Sequence, residues 1–496
     1  MVKGISRRYF LSSLLAGVAT PVWANPPSSS LRPRLRPESL RQLAAPGPGN
    51  LIRASGVTGN VSFSVADVAT GLVLEGHQAD QGLPPASVTK AVTAMYALDT
   101  LGAGHRFTTR VMTAGAVSNG VLKGDLVLAG GGDPTLDTNG LAQLAAQLKK
   151  AGIREVSGKF LVWGRALPSI HAIDPSQPDH AGYSPAISGL SLNYNRVHFE
   201  WKRGAQGWVV SMDARSDKYR PDVTMAKMRV VKRSMPVYTY ENRGGVDHWT
   251  VASGALGNGG SRWLPVRQPE IYAGQVFRTL ARAHGIVLKK PKLSHSPPTG
   301  QVLAEIHSAA LKDILRGMLK YSTNITAEMI GLAATQARGT SANTLKASGQ
   351  EMSRWAAGAL NMTNASLVDH SGLGDQSRLR ADEMVIALAQ SARRSELQPL
   401  LKNIKLRDSQ GNVKKNPPMK VVAKTGTLNF VSGLAGYLEA HDGTELAFAI
   451  FVADTGKRAA IPAQDKERPK GARAWNGKAK KLQQRLIERW DGLYGA

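Results

Sequence analysis

Ser87 and Lys90 are the first residues whose types and spacing could do chemistry. A serine hydroxyl is a weak nucleophile until a neighbouring base takes its proton. Residues three apart on a helix share one face, so Lys90 could be that base. The start of a helix would also surround Ser87 with unpaired N–H groups, which favour negative charge. Serine is equally a common helix N-cap residue, so this pair alone leaves both interpretations open.

A second polar group, Ser322 and Asn324, lies where two helical patterns meet. A hydroxyl at that position can pass on a proton, and an amide can hold a carbonyl group of a ligand. Serine and asparagine are also ordinary residues at helix junctions, so this pair says little by itself.

The third group is Lys424, Thr425, Gly426 and Thr427, at the end of an apolar run that predicts a strand. The lysine supplies a fixed positive charge for a carboxylate, and the threonines supply hydroxyls. The glycine lets a ligand approach the backbone closely.

Secondary structure predicted from apolar periodicity places each group at the end of an element. Apolar residues at helical spacing predict a helix from Ser87 to Leu101, ended by Gly102. Further helices are predicted over 308–321 and from about 326. Hairpins are predicted over 61–74 and around His441-Asp442-Gly443. An apolar stripe near the C-terminus predicts a helix face packed on the core, through Leu482, Leu486, Ile487, Trp490 and Leu493.

The spacing of the three groups predicts an insertion. About 230 residues separate Lys90 from Ser322, and compact domains do not contain structureless loops of that size. Short β-like runs dominate this interval. We therefore expect residues 107–299 to form one or two inserted domains, and residues 51–106 and 300–496 to form the domain that carries the three groups.

The order S-x-x-K, S-x-N, K-T-G resembles that of penicillin-binding proteins and active-site serine β-lactamases. The longer pattern is similar to one subfamily, the low-molecular-mass class C penicillin-binding proteins, which are D-alanyl-D-alanine carboxypeptidases with DD-endopeptidase activity. The resemblance covers roughly residues 61–454. Besides the three groups, it rests on Pro85-Ala86, Gly130-Gly131-Gly132-Asp133-Pro134-Thr135-Leu136, Leu190-Ser191-Leu192-Asn193-Tyr194-Asn195, Ser371-Gly372-Leu373 and Leu434-Ala435-Gly436-Tyr437.

The resemblance implies an α+β fold, with an antiparallel sheet flanked by helices and built from both ends of the chain, plus a large β-rich insertion. It implies that Ser87 is the nucleophile, Lys90 its base and Ser322 a proton relay. Asn324 would orient the peptide, and Lys424 and Thr425 would hold its terminal carboxylate. Gly426 belongs to the same substrate-binding strand, and the N–H groups of Ser87 and Thr427 would form the oxyanion hole. The implied partners are peptidoglycan stem peptides ending in D-Ala-D-Ala and β-lactam antibiotics.

This sequence departs from the subfamily pattern at three places. Thr323 stands where aspartate is usual, and His370 where glycine is common. Residues 405–417 lack the usual Gly-Thr-Leu. None of these departures removes a catalytic group, but each bears on substrate preference and loop geometry.

Two alternatives are weighed against a DD-peptidase. A class A β-lactamase deacylates with a glutamate, which in that family has asparagine four residues on. None of the candidates Glu328, Glu351, Glu383 and Glu396 has asparagine at that offset, so an acyl-enzyme with penicillin should persist. The other alternative is a non-catalytic, basic envelope-binding protein on the same scaffold, against which the three complete motifs argue.

The N-terminus and the composition indicate where such a protein acts. Residues 1–24 resemble a twin-arginine export signal with the pair Arg7-Arg8, and a Pro- and Arg-rich leader follows over residues 25–50. We therefore expect a periplasmic protein without a transmembrane anchor. The formal net charge of +27, from 63 Lys and Arg against 36 Asp and Glu, favours anionic envelope polymers as partners, and export excludes nucleic acid.

Metal and cofactor chemistry has little support in the sequence. The absence of cysteine excludes disulfides, thiolate metal sites and a cysteine nucleophile. The 11 histidines are scattered without metal-ligand spacing, so no metal and no cofactor is expected. The glycine run at 130–132 lacks the G-K-[ST] of a phosphate loop and predicts a tight turn.

Overall fold

The computed structural model describes residues 47–394, 396–462 and 465–495. The predicted export signal and most of the predicted leader lie outside these residues. Among the described residues, the first helix begins at Pro48, within the last positions of the predicted leader.

Ten helices and twenty strands are present in the described residues. The helices are α1 Pro48–Ser55, α2 Thr89–Leu101, α3 Thr138–Lys150, α4 Pro269–Ala283, α5 Leu311–Tyr321, α6 Asn324–Ala337, α7 Leu345–Leu360, α8 Ala381–Arg393, α9 Thr455–Ala459 and α10 Ala472–Tyr494. The first ten strands are β1 Asn60–Asp67, β2 Val73–His77, β3 Thr108–Thr113, β4 Ala116–Ser118, β5 Val121–Lys123, β6 Leu126–Gly130, β7 Glu155–Val156, β8 Phe160–Trp163, β9 Arg196–Gly204 and β10 Gly207–Asp213. The others are β11 Ala226–Val231, β12 Tyr238–Arg243, β13 Val246–Ala252, β14 Gly259–Pro265, β15 Pro291–Leu293, β16 Gln301–His307, β17 Lys402–Asn403, β18 Lys420–Leu428, β19 Val431–Glu439 and β20 Glu445–Ala453.

A six-stranded antiparallel sheet joins the two ends of the described chain. Its order is β17-β18-β19-β20-β1-β2, so the N-terminal hairpin pairs with the last strand of the C-terminal meander. The predicted hairpin between β19 and β20 is present, and the N–H of Thr444 donates to the Asp442 carboxylate at 2.8 Å within its turn. The predicted antiparallel sheet built from both ends is confirmed.

Helices cover both faces of this sheet, because its central strands are apolar on both sides. On one face α2, α5, α6, α7 and α8 form a large core that includes the sheet residues Ala447 and Phe451. On the other face α10 packs Trp475, Leu486 and Trp490 against the sheet. The predicted apolar stripe of the C-terminal helix is buried here, which confirms its packing role.

The region between α2 and α5 is rich in strands. Its five-stranded sheet has the order β15-β8-β6-β3-β16, with α3 and α4 in the same core, and three smaller three-stranded sheets accompany it. Strand β16 pairs with β3, so this sheet extends past the expected boundary at residue 299.

A separate apolar cluster joins this inserted region to the helices that carry the second polar group. Ile173 and Ile187 of the insertion pack with Ile325 and Met329 of α6. The insertion is therefore anchored beside Asn324, the first residue of α6.

No helix of the described residues combines the length and apolarity that a bilayer span requires.

Candidate active site

Ser87 lies on a single turn of 3₁₀-helix, Ala86–Val88, which leads directly into α2. The turn places Ala86 in the left-handed region, at φ 47°. Strand β18 packs closely against this turn, because a Cβ at Gly426 would lie 2.6 Å from the Pro85 carbonyl oxygen and 3.1 Å from the Ser87 nitrogen. The glycine of the third motif thus lets its strand approach the backbone around Ser87, and Ser87 itself is half-buried.

Lys90 points back from α2 at Ser87 and is completely buried. Its Nζ donates to Ser87 Oγ at 3.1 Å, to Asn324 Oδ1 at 2.8 Å and to the Ser371 carbonyl oxygen at 2.7 Å. The two shorter contacts come from elements far away in sequence. Together they fix the amine next to the serine hydroxyl.

Burial governs the protonation of Lys90. It lowers the pKa of Lys90 from 10.5 to about 8, while the charges of the Glu328 and Asp369 carboxylates oppose that shift. A lysine so placed can exist as the neutral amine at mildly alkaline pH, and a neutral amine can accept the Ser87 proton.

Ser322 and Lys424 form a second hydrogen-bonded pair in the same region. Ser322 ends α5 in the left-handed conformation, at φ 58°. Lys424 Nζ donates to Ser322 Oγ at 2.9 Å and to the Thr425 carbonyl oxygen at 2.6 Å. Burial holds the pKa of Lys424 well below its usual value, and the nearby charge of Lys90 lowers it further.

One open cavity of about 320 Å³ brings the three motifs together. Ser87, Asn324 and Thr427 contribute to its wall. Thr425 and Thr427 are exposed on β18, whereas Gly426 and Lys424 lie on the buried side. The remaining lining residues are Ser176, Gln177, Tyr183, Gly372, Leu373, Asp375, Leu428, Asn429, Arg458, Ile461, Lys466, Glu467 and Asn476.

The insertion takes part in this cavity through Tyr183. The Tyr183 carbonyl oxygen accepts a hydrogen bond of 3.0 Å from Asn324 Nδ2, and Tyr183 is one of the lining residues. Asn324 therefore uses its oxygen for Lys90 and its nitrogen for the insertion, which fixes the orientation of the amide.

The loop after α7 packs against the Ser87 turn and is held in shape by Asp369. Its carboxylate accepts the N–H groups of Gly372 and Gly374, each at 2.7 Å. A Cβ at Gly372 would lie 1.8 Å from the Ala86 carbonyl oxygen, so this loop packs directly on the Ser87 turn. Asp369 thus stabilises the turn of this loop.

His370, one of the departures from the subfamily pattern, is buried behind the site. Ser348 Oγ lies 2.7 Å from its Nε2, and the ring stacks on Tyr96 at 6.3 Å. Gly331 of α6 makes room for the ring, because a Cβ there would lie 2.1 Å from His370 Cγ. Burial lowers the pKa of His370 to about 3, which keeps the ring neutral.

Some residues of the site were not predicted. Tyr183 contacts Asn324 from the insertion, and Arg458 and Lys466 line the cavity from the segment after β20. Ser371 and Glu328 were named in the sequence, but not for the roles they have here. Ser371 belongs to the family pattern and its carbonyl accepts from Lys90, and Glu328 lies four residues after Asn324 on one helix face. Among the described residues, no group of three or more His, Asp or Glu side chains could hold a metal ion.

The sequence profile of the D-Ala-D-Ala carboxypeptidase 3 (S13) family matches residues 52–469, which include all three motifs and the whole insertion. The chain belongs to the S13 family. This assignment confirms the resemblance to class C penicillin-binding proteins and makes the chain a serine-type D-Ala-D-Ala carboxypeptidase.

Curated S13 relatives extend over most of the chain. A D-alanyl-D-alanine carboxypeptidase of Actinomadura sp. (strain R39) is 27% identical over 428 residues, which are 78% of this chain and 76% of that protein. The D-alanyl-D-alanine carboxypeptidase DacB of Haemophilus influenzae is 24% identical over 79% of this chain and 85% of that protein.

Solved structures show the S13 fold. Penicillin-binding protein 4 (DacB) of Haemophilus influenzae superposes with a TM-score of 0.70 at 19% identity, over 89% of this chain and all of that one. The same protein in complex with a β-lactam gives a TM-score of 0.68 at 20% identity, again over 89% of this chain and all of that one. The α+β fold class expected from the sequence is confirmed.

Proposed function

We propose that this S13 protein cleaves the terminal D-Ala-D-Ala bond of peptidoglycan stem peptides through an acyl-enzyme on Ser87, and that it also cleaves DD-cross-links. The observation that carries the proposal is the 3.1 Å contact between Lys90 Nζ and Ser87 Oγ at the edge of the cavity. The family assignment supplies the substrate class.

Acylation begins when Lys90, as the neutral amine, takes the Ser87 proton while Ser87 Oγ bonds to the carbonyl carbon of the penultimate D-Ala. The carbonyl oxygen becomes an oxyanion, which the N–H groups of Ser87 and Thr427 stabilise. Loss of one such donor costs about 2.7–4 kcal/mol in known cases. Ser322 then relays the proton that Lys90 took to the leaving nitrogen, so that Lys90 is neutral again, the C–N bond breaks, and D-Ala departs.

Lys424 and the threonines of β18 hold the terminal carboxylate. Lys424 is buried and its amine already donates to Ser322 and to the Thr425 carbonyl, so in its protonated form it supplies positive charge from behind the strand. The exposed hydroxyls of Thr425 and Thr427 are free to meet the carboxylate directly. Asn324, held between Lys90 and Tyr183, orients the peptide.

Water hydrolyses the acyl-enzyme and regenerates Ser87. With a β-lactam we expect the acyl-enzyme to persist, because none of Glu328, Glu351, Glu383 and Glu396 lines the cavity, and Glu467, which does, is paired with His180 and Arg262. The paired oxygens of Glu328 accept backbone N–H groups, and Glu351 is paired with Arg338 and Arg354. This arrangement argues against the β-lactamase alternative.

We further propose export to the periplasm through the signal at residues 1–24, with the twin-arginine route as the mechanism. The catalytic domain would comprise residues 51–106 and 300–496, and the insertion residues 107–299, except that strand β16, at Gln301–His307, pairs into the sheet of the insertion. The charge of +27 supports anionic envelope polymers as additional partners.

Release of D-alanine from a purified peptide ending in D-Ala-D-Ala tests the function. The wild-type protein should release it and Ser87→Ala should not, whereas a non-catalytic envelope protein would release none in either form. Mass spectrometry of products from purified, cross-linked muropeptides separates carboxypeptidase from endopeptidase action. Rapid, complete turnover of penicillin would favour a β-lactamase instead.

A further inference from the structure

Glu328 is a fully buried carboxyl group that the proposed mechanism does not use. It lies one helical turn after Asn324 on α6, so both side chains point to the same face of the helix. An ionisable side chain without solvent contact is costly unless it is paired and hydrogen-bonded. Its partners therefore show what it stabilises.

Both oxygens of Glu328 accept backbone N–H groups from the loop after α7. Oε2 accepts the N–H of His370 at 2.9 Å, and Oε1 accepts the N–H of Ser371 at 2.9 Å. A carboxylate that accepts two such donors is held in one orientation, and it holds the two peptide groups in return.

The Ser371 residue connects this carboxylate to the catalytic lysine. Its N–H donates to Glu328, and its carbonyl oxygen accepts from Lys90 Nζ at 2.7 Å. The Asp369 carboxylate holds the other side of the same loop through the N–H groups of Gly372 and Gly374. Two buried carboxylates thus fix a short loop that presents the Ser371 carbonyl oxygen to the lysine.

We propose that Glu328 is a positioning residue for Lys90: it holds the Ser371 carbonyl against Lys90 Nζ and, when ionised, adds a negative charge to the surroundings of the amine. The inference rests on the proposed function, because it assigns Glu328 a role in the activation of Ser87. Glu328 does not contact the substrate, since it does not line the cavity. For the same reason it is not a base for the hydrolytic water.

Four elements bring charged or titratable groups towards Lys90. These are Glu328 from α6, Asp369 and the neutral His370 from the loop, Lys424 from β18, and Ser87 from the preceding turn. In its carboxylate form Glu328 raises the pKa of Lys90 against the effect of burial. Burial raises the pKa of Glu328 itself to about 8, so this charge develops over the same pH range in which Lys90 loses its proton. Removal of that charge alone should therefore lower the pKa of Lys90.

The test is the pH profile of Ser87 acylation by a fluorescent penicillin in Glu328→Gln. Glutamine has nearly the same shape but no charge, and its NH₂ group cannot accept the second N–H. We expect the pH range in which the acylation rate constant rises to move to lower pH by about one unit. We expect the plateau to fall by up to about 100-fold, because the carbonyl that positions the amine is no longer fixed.

Glu383→Gln is the matched control. Glu383 is also buried, on α8, and accepts the backbone N–H of Asn364 at 3.0 Å, but it does not line the cavity. Its substitution removes a comparable loop contact elsewhere in the same domain. Its profile should coincide with that of the wild type.

A folded Glu328→Gln protein with a wild-type profile would overturn the inference, as would an equal shift in Glu383→Gln. If Glu328→Gln does not fold, Glu328→Asp decides between the outcomes. Aspartate keeps the carboxylate but is too short to accept both N–H groups. The pH range in which the acylation rate constant rises should therefore stay the same, and its plateau value should fall. A wild-type plateau in Glu328→Asp contradicts the proposal.

Hydrogen exchange in the wild-type protein tests the same inference without a variant. Hydrogen exchange of the segment 368–374 should be slow, because Glu328 and Asp369 hold its N–H groups, and exchange at the rate of an unstructured peptide would overturn the proposal. Failure of the wild type to react with penicillin at all would instead count against the proposed function.

Discussion

The amine of Lys90 lies 3.1 Å from the hydroxyl of Ser87, and no part of Lys90 is exposed to solvent. This relationship explains how a lysine can act as a base. Exposed lysine is protonated at neutral pH, whereas burial destabilises the ammonium form and makes the neutral amine accessible. The contacts from Asn324 and Ser371 leave the amine aimed at the serine.

Replacement of Lys90 by methionine should abolish most acylation. Methionine fills a similar volume but cannot accept a proton, and general-base catalysis contributes about 10²- to 10⁴-fold. The second-order rate constant for acylation by a fluorescent penicillin measures the effect. Lys149→Met, at an exposed lysine, is the control. A folded Lys90→Met protein that reacts within tenfold (about 1.4 kcal/mol) of the wild type would show that another group is the base.

The acylation rate should rise with pH. Only the neutral amine of Lys90 can take the Ser87 proton, and burial lowers the pKa of Lys90 to about 8. The rate constant should therefore increase through about pH 8 and level off above it, with Glu328, Asp369 and Lys424 setting the position of the limb. A rate that is constant from about pH 6 to about pH 10 would contradict this assignment.

His370 should make the protein acid-sensitive. Its pKa is lowered to about 3 in the folded protein from 6.5, so the unfolded chain binds a proton that the folded one does not. The free energy of unfolding should therefore fall as pH drops from 6.5 towards 3, by about 2 kcal/mol at pH 5. Denaturant unfolding at pH 7 and pH 5 measures this loss. His370→Gln should lack this part of the loss, and an equal loss in both proteins would show that other groups are responsible.

Gly331→Ala should destabilise the protein strongly. The new Cβ would lie 2.1 Å from His370 Cγ in a buried site, so either the ring or α6 must move. We expect a cost of about 3 kcal/mol or more. Gly358→Ala on α7 is the matched control, since nothing lies within 4 Å of its Cβ, and it should stabilise by about 0.5–1 kcal/mol. Thermal unfolding compares the two; similar midpoints would mean that the core around His370 is loosely packed.

The sequence predicted those parts of the site that depend on side-chain type. Ser87, Lys90, Asn324 and Thr427 were identified from motif order. The structure brings Ser87, Asn324 and Thr427 to one cavity wall, and the buried Lys90 contacts Ser87 and Asn324. Strand β18 was also predicted, although it runs through the K-T-G motif rather than ending before it.

Main-chain groups could not be predicted in the same way. Every residue carries a carbonyl group, so nothing in the sequence marks those of Ser371 and Tyr183 as partners of Lys90 and Asn324. Their role arises only when the loop and the insertion fold against α6. The position of Arg458 could not be predicted either, because only the path of the chain after β20 brings it to the cavity wall.

Helices α7 and α8 were not predicted, although both lie in the main core. The 3₁₀ turn at Ser87 was also missed, since Ala86 adopts a left-handed conformation that alanine rarely takes and that packing against Gly372 and Gly426 stabilises.

Intact-mass analysis and peptide mapping after incubation with benzylpenicillin test the central claim most directly. We predict one adduct per chain, located on Ser87, stable for longer than the incubation and absent from Ser87→Ala. An adduct on any other residue, or one that forms equally in Ser87→Ala, would contradict the account.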